Sequence, residues 1–159
     1  MTNGDRTGLA RRLSTADALA HHMERIAVAA VALTARALAE ADGGADLTFP
    51  QWRAVVVLGE RPDGARIGEV AARVGVTIPA TSRLLRRLER RGLVALGVDE
   101  QDRRATRARL TDRGLAVRTA ILGHRQAVLR EVVATLSDPQ RLELADGLAA
   151  IAAGLDRFA

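Results

Sequence analysis

Hydrophobic positions recur at helical spacing over most of the chain and switch to alternation in one short stretch. From residue 15 to about 41 there is no Gly or Pro, and Ala and Leu, both strong helix formers, dominate. Ile26, Ala29, Ala30, Leu33, Ala37 and Leu38 share a helical period, yet apolar residues spread beyond one face. A helix of that kind is buried on several sides or lies between subunits. Asp42-Gly43-Gly44 should end it, since glycine accepts a left-handed cap. A second helix opens at Thr48-Phe49-Pro50-Gln51-Trp52, with Thr48 as N-cap, Pro50 in the first turn, and Trp52, Val55, Val56 and Leu58 facing a core. Arg61-Pro62-Asp63-Gly64 reads as a turn. A third helix over 66–74 has Ile67, Val70, Ala71 and Val74 as its apolar positions.

The stretch from Thr77 to Gly92 organises the rest. At ~100° per residue, Ile78, Thr81, Leu84, Leu85 and Leu88 fall within an arc of roughly 120°, with Pro79, Ser82, Arg83, Arg86 and Arg90 opposite. One face is apolar and the other cationic, with small residues near the start. A major groove accepts such a helix: short residues let the backbone approach, and arginines fork onto guanine or clamp phosphate. A run of charge is also the ordinary solvated face of a helix. Against that reading, Glu69 and Glu89 are the only acids between Asp63 and Asp99. Ala71, Gly75, Val76 and Leu84 stand where a helix-turn-helix needs a close crossing, a left-handed turn and two core contacts. Thr77 is a natural N-cap for the second helix of that pair.

After Gly92 the pattern changes. Leu93 to Val98 is β-like, and 105–111 alternates, with Arg107 and Arg109 on one face and Ala108 and Leu110 on the other. A two-stranded hairpin with a charged tip, attached behind a helix-turn-helix, is a winged helix. Thr111 and Asp112 then cap a long helix to about residue 136, in which Gly123 is a candidate break. Ser137-Asp138-Pro139 opens a last helix to about 158, striped by Leu142, Leu144, Leu148, Ile151, Ala152 and Leu155. These stripes could be simple core packing. The first helix and the last two, however, carry more apolar face than one winged helix can cover, which favours a dimer interface.

Composition narrows the class. Of 159 residues, 48% are hydrophobic and 27% charged, a globular balance. The net charge is +5 and every Lys/Arg position is arginine. Coding in a GC-rich genome would account for part of that skew, but the excess clusters between Arg83 and Arg113 and favours an anionic partner. With no cysteine there is no disulfide framework, thiol switch or zinc-thiolate site. Arg11-Arg12 before the apolar run 26–33 suggests a secretory signal, but Asp17, His21, His22, Glu24 and Arg25 intervene. No run reaches the ~20 apolar residues that span a bilayer. A soluble, cytoplasmic protein without membrane or cofactor is expected. Residues 1–14 are expected to be flexible, with one domain over 15–159. No tyrosine, no cysteine, and no Ser-His-Asp set or phosphate loop in context argue against an enzyme.

Leu47-Thr48-x-x-Gln51-Trp52, Gly68-Glu69-Val70-Ala71, Leu88-Glu89-Arg90-Arg91-Gly92-Leu93-Val94, Asp102-x-Arg104 and Leu110-Thr111-x-x-Gly114 together resemble the MarR family of bacterial transcriptional regulators. The resemblance spans nearly the whole chain and is most specific from Asp102 to Gly114. It implies a mainly α fold with a small β-hairpin wing: a winged helix-turn-helix over 48–111, flanked by dimerisation helices over 15–41 and 112–158. It further implies a homodimer on a pseudo-palindromic operator in double-stranded DNA, usually a repressor, often released by a small anionic or phenolic effector.

On physical grounds Thr77, Pro79, Ser82, Arg83 and Arg86 are placed to meet bases and phosphates, while Arg87 and Arg90 would hold phosphate or the wing. The resemblance puts Arg104 in the minor groove with Asp102 orienting the wing; a narrow groove concentrates negative potential that suits arginine. Arg103 and Arg107 fit phosphate contact or a solvated surface equally well. The resemblance also implies an effector pocket between the first, second and fifth helices, where His21, His22, Trp52, Arg53 and His124 are the chemically notable residues. Trp52 is more often a core residue than a ligand contact. His21 and His22 point ~100° apart on a helix, so they do not chelate together, and no metal site is expected, although one of them with His124 and a carboxylate is conceivable. With 2% aromatic residues, an aromatic-lined pocket is not expected. The competing function is a winged-helix protein-interaction module without specific DNA binding.

Overall fold

The computed structural model describes residues 14–40, 47–155 and 157. Six helices and three short strands follow in the order α1 (Thr15–Glu40), α2 (Phe49–Gly59), β1 (Ala65–Arg66), α3 (Ile67–Val74), α4 (Ile78–Arg90), β2 (Val94–Val98), β3 (Thr106–Leu110), α5 (Asp112–Ala134) and α6 (Asp138–Leu155). The expected N-terminal tail, the Asp42-Gly43-Gly44 stop and the last turn to 158 lie outside the described residues, except for Ser14 and Arg157.

Side chains close the helix ends as the sequence suggests. The Thr48 N–H donates to Gln51 Oε1 (2.9 Å) at the start of α2, and Thr77 Oγ1 accepts the Ala80 N–H (3.4 Å) at the start of α4. Gly75 takes the left-handed conformation (φ 77°) that ends α3, and its N–H donates to Ala71 O (3.0 Å). A side chain there would be strained, so the turn between the two helices depends on glycine.

Strand order in the antiparallel sheet is β1-β3-β2. β1 was not expected from the sequence. Its two residues pair as Ala65↔Ala108 and Arg66↔Arg107, too short a run for alternation to register. The third helix accordingly begins at Ile67, with Arg66 as its N-cap and the Arg66 N–H donating to Glu69 Oε2 (2.8 Å). α5 runs unbroken through Gly123 and stops at Ala134, two residues short of expectation.

The core lies where α2, α3, α4, the sheet and the N-terminal half of α5 meet. Trp52, Val55, Leu58, Val70, Leu85, Leu88, Val94, Ala108 and Ile121 are buried there, and Ala37 brings α1 to it. Ile78 departs from the arc assigned to it. It is 59% exposed, whereas Thr81, Leu85 and Leu88 are buried and Leu84 packs against the core. No residue of α6 is buried. Leu19, Ile26, Val28 and Val31 of α1, Leu129, Val132 and Val133 of α5, and Leu142, Leu144, Leu148 and Leu155 of α6 are all exposed.

Candidate nucleic-acid interface

α4 presents its basic residues because its apolar ones are spent on the core. Thr81 is fully buried with its hydroxyl donating to Thr77 O (3.0 Å), so the helix faces outward through Thr77, Pro79, Arg83, Arg86, Arg87 and Arg90, all exposed, with Ser82 half-buried. The arginines divide by flank. Ser82, Arg86 and Arg90 line a cleft against the wing strands, opposite Leu96, Gly97, Val98 and Thr106. Arg83 and Arg87 border a second hollow beside Pro50 and Gln51 of α2. Arg86 and Arg90 therefore sit on the wing side of α4, and Arg83 and Arg87 on its α2 side.

The wing is β2, β3 and the turn between them. At its tip Asp102, Arg103 and Arg104 are exposed, and Asp102 Oδ1 accepts the Arg104 backbone N–H (3.0 Å). At its base stands Asp99, fully buried and absent from the residues the sequence singled out. Its carboxylate accepts from Arg66 Nη2 (2.9 Å) and Nε (3.2 Å), Arg107 Nε (2.8 Å), and the backbone N–H groups of Gln101 (3.1 Å) and Asp102 (3.0 Å). The Arg66 fork, then Arg107 and the two backbone donors, outweigh burial and hold the Asp99 carboxyl well below the usual carboxylate range; Arg66 is raised in turn. Arg107 also donates to Gly64 O (3.0 Å), so its guanidinium is committed inside the wing base while its half-buried stem leaves little to offer a phosphate. The missed partner, Arg66, lies 33 residues before Asp99, and no local spacing announces it.

A hollow lies between α1, α2 and α5, with Arg73 of α3 on its border. Its lining includes Val31 and Thr34 from α1, Trp52, Arg53 and Val56 from α2, Arg73 from α3 and Arg125 from α5. Trp52 is 3% exposed, so it serves the core and the pocket wall together. Arg53 Nη2 donates to Arg73 O (2.6 Å), and Arg73 Nη1 meets Glu60 Oε2 (3.3 Å), which joins this wall to the first helix of the helix-turn-helix. The buried Arg125 Nε has no hydrogen-bond partner. The three histidines are elsewhere. His21 and His22 are exposed near the far end of α1 with ring centroids 5.8 Å apart, and His124 pairs with Glu40 (3.2 Å). Among the described residues no three His, Asp or Glu side chains are grouped to hold a metal, and no helix is long and apolar enough to cross a membrane.

A sequence model described as MarR family matches residues 45–105, which run from the α2 cap to the wing turn. An uncharacterized HTH-type transcriptional regulator of Bacillus subtilis (strain 168), YfiV, is 23% identical over 111 residues, covering 70% of this chain and 69% of that one. Among solved structures, a MarR family protein from Bacillus stearothermophilus is similar with a TM-score of 0.78 at 25% identity, over 89% of this chain and 96% of that one. A variant of S. aureus MepR bound to oligodeoxyribonucleotide shares the fold with a TM-score of 0.63 at 24% identity, over 86% of this chain and 97% of that one. With its helix-turn-helix and wing the chain shares the fold of these solved proteins, and over residues 45–105 it is similar to the MarR family.

Proposed function

We propose that the protein binds a pseudo-palindromic operator in double-stranded DNA as a homodimer and represses transcription until a small effector releases it. The carrying observation is the outward face of α4, where Pro79, Arg83, Arg86, Arg87 and Arg90 are exposed beside an exposed Arg103-Arg104 wing tip. α4 enters a major groove, with Thr77, Pro79, Ser82, Arg83 and Arg86 nearest bases and phosphates and Arg87 and Arg90 on the flanking backbone. Arg104 enters the adjacent minor groove, and Arg103 meets phosphate. The fold shared with DNA-bound MepR supports this arrangement.

Dimerisation is supported by the many exposed apolar side chains of α1, the end of α5 and α6, a liability for a lone chain. A two-fold pairing of these helices would place two recognition helices about one DNA turn, ~10 bp, apart. The effector site is the α1–α2–α5 pocket. Its arginines, Arg53, Arg73 and Arg125, suit a small anionic or phenolic molecule, and the Arg53–Arg73 link gives binding there a mechanical hold on α3. The histidines have no part in it.

The test is a fluorescence-anisotropy titration with the DNA upstream of the protein's own gene, against random-sequence competitor, at two salt concentrations. Competitor-resistant binding that falls steeply with salt is expected from counterion release. Weak, salt-insensitive association would favour the protein-interaction module instead.

A further inference from the structure

We propose that Asp99 is a positioning residue for DNA recognition: through Arg66 and Arg107 it fixes where the wing presents Arg104. The inference rests on the reading that the wing contacts DNA. A two-stranded ribbon is limp on its own. The third strand, β1, steadies the wing only at Ala65↔Ala108 and Arg66↔Arg107, and the turn beyond Val98 and Thr106 has no strand beside it. What stands there instead is the buried Asp99 carboxylate. Its Oδ1 takes the N–H of Asp102, and Asp102 Oδ1 takes the N–H of Arg104. Arg104 is thus two hydrogen bonds from a carboxylate that Arg66 anchors to the start of α3. Arg107, whose Nη1 reaches back to Gly64 O, ties the same carboxylate to the turn before β1. The wing angle and the helix-turn-helix are set against each other at one point.

Charge counting and positioning give opposite signs for one substitution. Asp99→Asn raises the net charge from +5 to +6 and loosens two guanidinium groups, which by electrostatics alone tightens binding to DNA. Asparagine, however, offers one acceptor oxygen and turns an amide donor toward arginines, so the fork and the tip turn cannot both be kept. Positioning predicts weaker operator binding.

The experiment is a double-mutant cycle over Asp99→Asn and Arg104→Ala, read by anisotropy on duplexes selected from a random pool by the unaltered full chain, with hydroxyl-radical footprinting of the minor groove. Arg104→Ala alone should weaken binding about tenfold or more. Asp99→Asn should do likewise and erase the wing footprint while protection by α4 persists. The double variant should be no weaker than Arg104→Ala alone by more than about twofold. If Arg104→Ala binds unchanged, the reading of the wing fails and this inference goes with it. If Arg104→Ala weakens binding but Asp99→Asn is neutral, tighter, or multiplies the loss, the inference alone fails. Arg66→Gln, at a partly exposed side chain, replaces Asp99→Asn in the cycle should the latter not fold.

Discussion

The hydroxyl of Thr111 donates to the carbonyl of Gly92 (2.6 Å) and accepts the N–H of Gly114 (3.1 Å). One side chain thereby closes the turn after α4 and caps α5, joining the recognition helix to the long helix that leaves the wing. Thr111→Ala should cost about 1–2 kcal/mol, the usual range for a lost cap, whereas Thr111→Ser should retain most of the stability. Urea unfolding at one fixed protein concentration measures both.

The start of α5 also tolerates no side chain at Gly114. A Cβ there would collide with the backbone carbonyl of Leu93, which cannot move without disturbing the entry to β2. Gly114→Ala should therefore destabilise by more than the roughly 1 kcal/mol that helix propensity would return. At Gly123 an added Cβ would meet nothing within 4 Å, so Gly123→Ala should behave oppositely and gain roughly 0.5–1 kcal/mol. Thermal melts of the pair would separate the two cases.

Leu85 and Ile78 share an apolar arc in sequence but not in the fold. Leu85 is fully buried, and Leu85→Ala should cost about 2–5 kcal/mol. Ile78→Ala, at a site 59% exposed, should stay within about 0.5 kcal/mol. Equal losses in denaturant titrations would mean that Ile78 packs after all.

Because the folded Asp99 carboxyl is held below its unfolded value, its contribution to stability is complete above the ordinary aspartate pKa of about 3.9 and is lost only as pH falls below that, through the depressed folded value. The 13Cγ resonance of Asp99 should accordingly stay flat as pH is lowered from 7 to about 4. A midpoint at or above the ordinary value would show that the Arg66 and Arg107 bonds do not persist in solution.

Leu142→Glu combined with Leu148→Glu places charge on the exposed stripe of α6. Sedimentation velocity should then show a monomer, with operator affinity falling alongside. A dimer of unchanged stability would move the interface elsewhere.

Most of the fold was legible because its elements advertise themselves locally. Thr77 and Thr111 are caps by residue type, Gly75 is a left-handed turn, and Thr81, Leu85 and Leu88 repeat at helical spacing. β1 was not legible, since two residues carry no period. The α4 arginines could be assigned to an outward face from the wheel, but their division into Arg86 with Arg90 and Arg83 with Arg87 depends on where the wing and α2 pack. Asp99 looked like one more charge in a polar turn; only burial between Arg66 and Arg107 distinguishes it from Glu100. The Glu40–His124 pairing was hidden for a similar reason, since it joins α1 to α5 and is set by tertiary packing.

The cationic face of α4 is built wholly from arginine, and the chain contains no lysine at all. Guanidinium groups do not lose their proton at any physiological pH, and lysine acetylation has no substrate here. The positive charge these arginines carry is therefore constant. Any signal that changes their hold on an anionic partner has to act on where the arginines stand, by shifting α3, α4 or the wing, because it cannot act on how many charges they carry.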